Sequence, residues 1–154
     1  MGRGRMVVVG NSGVGKSTLL NVQREIEDEC LPTIFVEHLL IQLRGEECGE
    51  KCKLKVDVYD MGGSNKFLDF VQIYIRQADS VILVFETWED VAYLRRAIRD
   101  LNFSPVQHIT LLHSKQDIRP DLTPSQIHEL VTYFKPQLYA RTSARDPKSI
   151  KHVF

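Results

Sequence analysis

The sequence is short of cysteine, of long apolar runs and of any excess of one charge, and each shortage closes off a class of protein. Among 154 residues there are three cysteines, Cys30, Cys48 and Cys52, an odd set that makes no disulfide framework. Cys48 and Cys52 lie in a Gly/Glu-rich turn, but no second pair or nearby histidine completes a zinc site. Free thiols in a reducing, cytoplasmic setting are expected. No apolar stretch approaches the ~20 residues that a membrane helix needs. The apolar run Met6-Val7-Val8-Val9 that follows Met1-Gly2-Arg3-Gly4-Arg5 is too short for a signal-peptide core. Gly2 fails as a myristoylation site because Met6 stands where Ser or Thr is required. Basic and acidic residues number 20 each, for a formal net charge of zero. That balance argues against a nucleic-acid-binding surface and against electrostatic attachment to acidic lipid. With 43% hydrophobic residues, no repeat and no low-complexity linker, the chain suits a single domain over residues 1–154 with a substantial core.

What the sequence does hold is Gly10-Asn11-Ser12-Gly13-Val14-Gly15-Lys16-Ser17, which meets the phosphate-loop spacing G-x-x-x-x-G-K-[ST] at every fixed position. Its glycines let the backbone turn where a Cβ would clash, so that successive N–H groups converge on phosphate oxygens at a helix start whose dipole favours negative charge. Lys16 supplies a point charge for the β/γ-phosphates, and Ser17, with Thr18 behind it, offers a hydroxyl to Mg²⁺, a cation that takes oxygen ligands. A plain Gly-rich turn is the alternative. Its neighbours argue against that, because Met6–Val9 reads as a buried parallel strand and Thr18-Leu19-Leu20-Asn21-Val22-Gln23 begins a helical pattern.

Along the chain, a helix is expected over Lys16–Asp28, broken before Pro32. Strands are expected over Phe35–Leu43 and Lys53–Asp60, joined by the polar turn Arg44–Glu50 into a hairpin, with Asp60 at the strand end beside Gly62 and Gly63. Helices over Asn65–Ala78, Glu89–Leu101 and Thr123–Phe134 then alternate with strands over Ser80–Phe85, His108–His113 and Gln137–Ala140, which is the rhythm of an α/β fold. Val81-Ile82-Leu83-Val84-Phe85 is continuously apolar, as a strand covered on both faces should be. Thr123 is expected to cap a helix with Pro124 at its first position. Pro147–Phe154 is long enough only to start a helix.

These pieces, in order, resemble the Ras-like small GTPases over nearly the whole chain. The phosphate loop is most similar to the Rab version, with Ser12 where Ras proteins carry glycine. Leu31-Pro32-Thr33-Ile34 resembles switch I, whose threonine coordinates Mg²⁺ and senses the γ-phosphate. Asp60-Met61-Gly62-Gly63 resembles the D-x-x-G of switch II, which implies that Asp60 holds Mg²⁺ through water and that the Gly63 amide meets the γ-phosphate. Ser114-Lys115-Gln116-Asp117 resembles the guanine-reading [NT]-K-x-D, and Thr142-Ser143-Ala144-Arg145 the base-loop E-S-A-K. The implied fold is a six-stranded, mostly parallel sheet with helices on both faces and one antiparallel hairpin strand.

The resemblance implies a molecular switch that binds GTP or GDP with Mg²⁺, in which effectors and regulators read the two switch segments. The chemistry of the residues agrees: a carboxylate at Asp117 accepts both N–H groups of guanine's N1/N2 edge, and the Lys115 stem can lie on the base face. Departures matter as much. Ser114 replaces the usual Asn, Arg145 replaces Lys, and Ser64 stands where the water-orienting Gln belongs, so slow hydrolysis is expected and Lys16, Thr33, Gly63 and Ser64 are the residues that bear on it. A hydrolysis-deficient, nucleotide-bound scaffold is the alternative, and a P-loop ATPase or kinase fits less well. No Cys-a-a-X lipid signal ends the chain, so membrane association is expected only through partners. The last helix is a stub, and Ile150, Val153 and Phe154 are expected to leave an apolar groove for a partner or a second copy.

Overall fold

The computed structural model describes residues 2–11, 13–16, 36–47, 50–61, 63, 68–99, 108–116, 118, 121–143, 145, 146 and 148. Six strands build one sheet: β1 (Gly2–Gly10), β2 (Val36–Glu47), β3 (Glu50–Met61), β4 (Ser80–Phe85), β5 (His108–His113) and β6 (Leu138–Arg141). Helices α1 (Leu68–Arg76), α2 (Val91–Ala97) and α3 (Pro124–Phe134) alternate with the later strands. The strand order is β2-β3-β1-β4-β5-β6. Among these described strands β2 and β3 run antiparallel, and the other neighbouring pairs are parallel.

Register decides where the loops emerge. Gly10 pairs with Val84, Phe85 with His113, and His113 with Arg141. The carboxyl ends of β1, β4, β5 and β6 therefore lie in line along one edge of the sheet, where ligands of open α/β sheets bind.

Burial follows strand chemistry. All of Val81–Phe85 is 3% exposed or less, so β4 is covered on both faces, as its unbroken apolar run requires. In β3, Val56 and Val58 are buried and so is the intervening Asp57, at 7% exposure. Because successive side chains point to opposite faces, β3 too is covered on both sides. Beside it, the Tyr59 and Tyr74 rings pack at 5.2 Å, tying β3 to α1. The central cluster joins Val7 and Val9 of β1 and Leu83 and Phe85 of β4 to Val71, Ile75, Leu94 and Leu130 from the three helices.

Local signals account for several element ends. The Thr123 hydroxyl accepts from the Gln126 amide at 3.2 Å, and the Gln126 side chain accepts from the Thr123 amide at 3.0 Å, a reciprocal cap with Pro124 at the first helical turn. Other ends differ from the sequence expectation. β1 begins four residues earlier than Met6, because Gly2–Arg5 pair with Leu54–Asp57 of β3. The hairpin strands run on through the polar Arg44–Glu47, paired with Glu50–Lys53; ladder hydrogen bonds come from the backbone and tolerate polar side chains. α2 stops at Ala97, where Ile98 adopts φ −101° and ψ 5°, short of the expected Leu101. The expected helices over Lys16–Asp28 and Pro147–Phe154, with Ile150, Val153 and Phe154, lie almost wholly outside the described residues. No helix among the described residues is long and apolar enough to cross a membrane.

Candidate functional site

The site grows from the end of β1. A Cβ on Gly10 would lie 2.5 Å from the Val84 carbonyl oxygen and 2.9 Å from Val14 Cγ2, so only glycine lets the loop leave the sheet so close to β4. Gly13 and Gly15 then take φ of +81° and +93°, the left-handed region that other residues enter at a cost. Between them Val14, 1% exposed, anchors the loop in the protein interior. The Lys16 ammonium folds back and donates to the carbonyls of Gly10 at 2.7 Å and Asn11 at 3.0 Å. Only 7% exposed, this charge is held by backbone dipoles inside the loop that it closes.

The loop after β5 forms the second wall. The Ser114 amide donates to the Phe85 carbonyl at 2.8 Å, continuing the β4–β5 alignment, and its hydroxyl reaches the Val14 carbonyl at 2.7 Å. Lys115 sits at φ +55°, and its ammonium donates to the Gly13 carbonyl at 2.7 Å while pairing with the Glu86 carboxylate at 3.0 Å. Two consecutive residues thus bind the phosphate loop directly. The hydroxyl at Ser114 does tether that loop, although it is shorter than the amide found in the resembled pattern.

A third strand end closes the arrangement. The Thr142 amide donates to the His113 carbonyl at 2.8 Å and the Thr142 carbonyl accepts from the Gln116 amide at 3.1 Å. Ser143, 6% exposed, accepts the Arg145 amide on its hydroxyl at 3.1 Å. His113 itself is 1% exposed, stacks on Phe85 at 4.6 Å and places Nε2 2.9 Å from the Glu86 carbonyl. Its buried Nδ1 has no hydrogen-bond partner among the described residues. Burial therefore holds its pKa below the ordinary 6.5, with the Glu86 carbonyl and Asp121 opposing and Arg141 reinforcing that shift.

Gly10, Gly13, Val14, Gly15 and Lys16 are thus joined to Ser114 and Lys115, with Ser143 in the adjoining loop. Gly63 is buried just beyond β3. Asp60 holds a backbone place near the end of β3, in register with Val8 and Glu37. Ser12, Ser17, Thr18, Thr33, Ser64, Asp117 and Ala144 lie outside the described residues. Sequence reasoning missed Glu86 and Asp90 in the turn after β4. Asp90 accepts from the amides of Glu86 and Thr87 at 3.0 and 2.9 Å and from the Asn11 side chain at 3.2 Å. The Thr87-x-x-Asp90 capping spacing is the local signal that points to Asp90.

A glycine loop with left-handed turns, a lysine drawn back over it and a flanking Ser-Lys pair at the carboxyl edge of a parallel sheet define a P-loop α/β domain. The chain belongs to the Ras family, whose family model matches residues 5–154. It is 24% identical to human Ras-related protein Rab-12 over 97% of this chain. It is 25% identical to Ras-related protein RabC of Dictyostelium discoideum and 28% identical to Ras-related protein RABA1e of Arabidopsis thaliana, each over 97% of this chain. The aligned part makes up 63% of the length of Rab-12, 79% of RabC and 70% of RABA1e.

Proposed function

We propose that this chain is a guanine-nucleotide-dependent switch with one G domain over residues 1–154, holding GTP or GDP with Mg²⁺ in the cytoplasm and hydrolysing GTP slowly. The observation that carries it is the phosphate loop with its positive-φ glycines and infolded Lys16, whose Val14 and Gly13 carbonyls accept directly from Ser114 and Lys115 of the base-reading motif. The loop fits a phosphate chain chemically. A phosphate anion would offer the Lys16 ammonium charge-assisted bonds, which are stronger than bonds to neutral acceptors such as carbonyls. Ser17, Thr33 and Asp60 would hold Mg²⁺, which neutralises phosphate charge when bound. Asp117 and Lys115 would read guanine, with Ser143 and Ala144 beside the base.

Effectors and regulators would read the segments around Thr33 and Gly63–Ser64. In support, α1, which follows Ser64, leaves Phe70 and Ile73 46% and 50% exposed. The Ser64 side chain is several bonds shorter than the glutamine that orients the attacking water in the resembled pattern, so slow hydrolysis with retained binding is expected. That same serine favours a second reading, a nucleotide-bound scaffold without turnover.

The test is identification of the co-purifying nucleotide followed by single-turnover hydrolysis. GTP and GDP are expected to bind far better than ATP, Asp117→Asn to shift preference towards xanthine nucleotides, and Ser64→Gln to hydrolyse GTP faster than wild type. Equal ATP and GTP affinity would sink the guanine assignment. Hydrolysis in the wild type at the rate of an ordinary Ras-like protein would overturn the role given to Ser64.

A further inference from the structure

The turn between β4 and α2 lies outside the phosphate loop, yet one of its side chains reaches into it. Asp90 ends a short 3₁₀ turn (Trp88–Asp90), between the fully buried Phe85 and the core residues Val91 and Leu94, 2% and 0% exposed. One carboxylate oxygen, Oδ2, accepts the amides of Glu86 and Thr87 and the Thr87 hydroxyl at 3.3 Å. These bonds fix the carboxylate on its own turn. The other oxygen, Oδ1, accepts from Asn11 Nδ2 at 3.2 Å, and capping the turn does not account for it.

Asn11 is a node in the loop. Its carbonyl accepts the Lys16 ammonium at 3.0 Å and the Val14 amide at 3.4 Å. Wherever its side chain is pulled, one of the two carbonyls that hold Lys16 moves with it. An ionised acceptor makes the side-chain bond stronger than a neutral one, and a carboxylate already locked by three donors has little freedom left to lose. We propose that Asp90 is a positioning residue for the phosphate loop: through Asn11 it holds the carbonyl on which Lys16 rests, and so prolongs retention of a bound nucleotide. The effect on retention rests on the nucleotide-binding function proposed above; the Asn11–Asp90 brace does not.

The experiment compares the full chain with Asn11→Ala, Asp90→Ala, the double Ala variant, and the exchange Asn11→Asp with Asp90→Asn. Dissociation of a fluorescent GDP analogue is followed for each, with urea midpoints recorded on the same proteins. Each single Ala change is expected to speed dissociation about tenfold, the size of one charge-assisted bond, and the double to be no faster than the singles, because both break the same contact. The exchange variant swaps donor and acceptor, leaving the new amide oxygen at position 90 to take the Glu86 and Thr87 amides, and it is expected to return to within about twofold of wild type. Effects that multiply in the double variant, with no rescue by the exchange, would reduce Asp90 to a cap of its own turn and overturn the proposal. If Asp90→Ala does not fold, Asp90→Asn replaces it in the cycle. A wild type that holds no guanine nucleotide would refute the function above and leave the brace to hydrogen exchange in the ligand-free protein. There, faster exchange over residues 10–16 in Asn11→Ala, with residues 81–85 unchanged, supports the brace, and equal exchange overturns it.

Discussion

Replacing Ser114 by alanine removes one oxygen and isolates one hydrogen bond. The hydroxyl has a single proton and two carbonyls in reach, Val14 at 2.7 Å and Phe85 at 3.1 Å. Phe85 already accepts the Ser114 amide at 2.8 Å, so the proton serves Val14. The loss falls on a loop carbonyl beside a side chain 1% exposed, where an unmet acceptor costs about 1–3 kcal/mol. Alanine keeps the Cβ, so the void is only the size of an oxygen and adds little. Urea unfolding should therefore show wild type more stable by about 1–2 kcal/mol, and nucleotide dissociation should quicken by about 5- to 30-fold as the loop loses a tether. The sites are independent enough to separate the two effects: Lys115 still donates to Gly13. Unchanged unfolding and unchanged dissociation together would show that the Val14 carbonyl finds another donor, and the role given to the Ser114 hydroxyl would fail.

Gly10→Ala places a methyl 2.5 Å from the Val84 carbonyl, and overpacking there should cost about 1–3 kcal/mol in a urea melt and weaken nucleotide binding; wild-type behaviour in both would refute the close approach. His113 has a folded-state pKa lowered from 6.5 by burial. The unfolded chain then binds that proton more readily, so the contribution of neutral His113 is fully present above about pH 6.5 and declines as pH falls from there towards the folded pKa. Urea midpoints of wild type and His113→Phe should converge or cross as pH drops through that window, and parallel curves would contradict the assignment. Tyr93 is 2% exposed with a buried hydroxyl that finds no partner among the described residues, and burial pushes its pKa up to about 12. Tyr93→Phe should raise stability by about 1 kcal/mol, or about 2–4 °C in Tm for a chain of this size, and a loss of stability would show that the hydroxyl is served.

The phosphate loop was legible because its demands are local: Gly13 and Gly15 need positive φ, Gly10 needs the absence of a Cβ, and Lys16 follows at fixed spacing. The Thr123 cap and the doubly buried β4 were legible for the same reason, since a capping pattern and an unbroken apolar run each fit within a few consecutive residues. Only the tertiary structure decided that Ser114 would serve Val14 across 100 positions, Lys115 would serve Gly13 across 102, and Asn11 would meet Asp90 across 79. It also decided that Gly2–Arg5 would extend β1, since their strand character comes from pairing with β3 and not from their own composition. Local backbone chemistry is written in neighbouring residues, whereas a bond between distant polar groups depends on the register that brings β1, β4, β5 and β6 to a common edge, and no short pattern in the chain encodes that register.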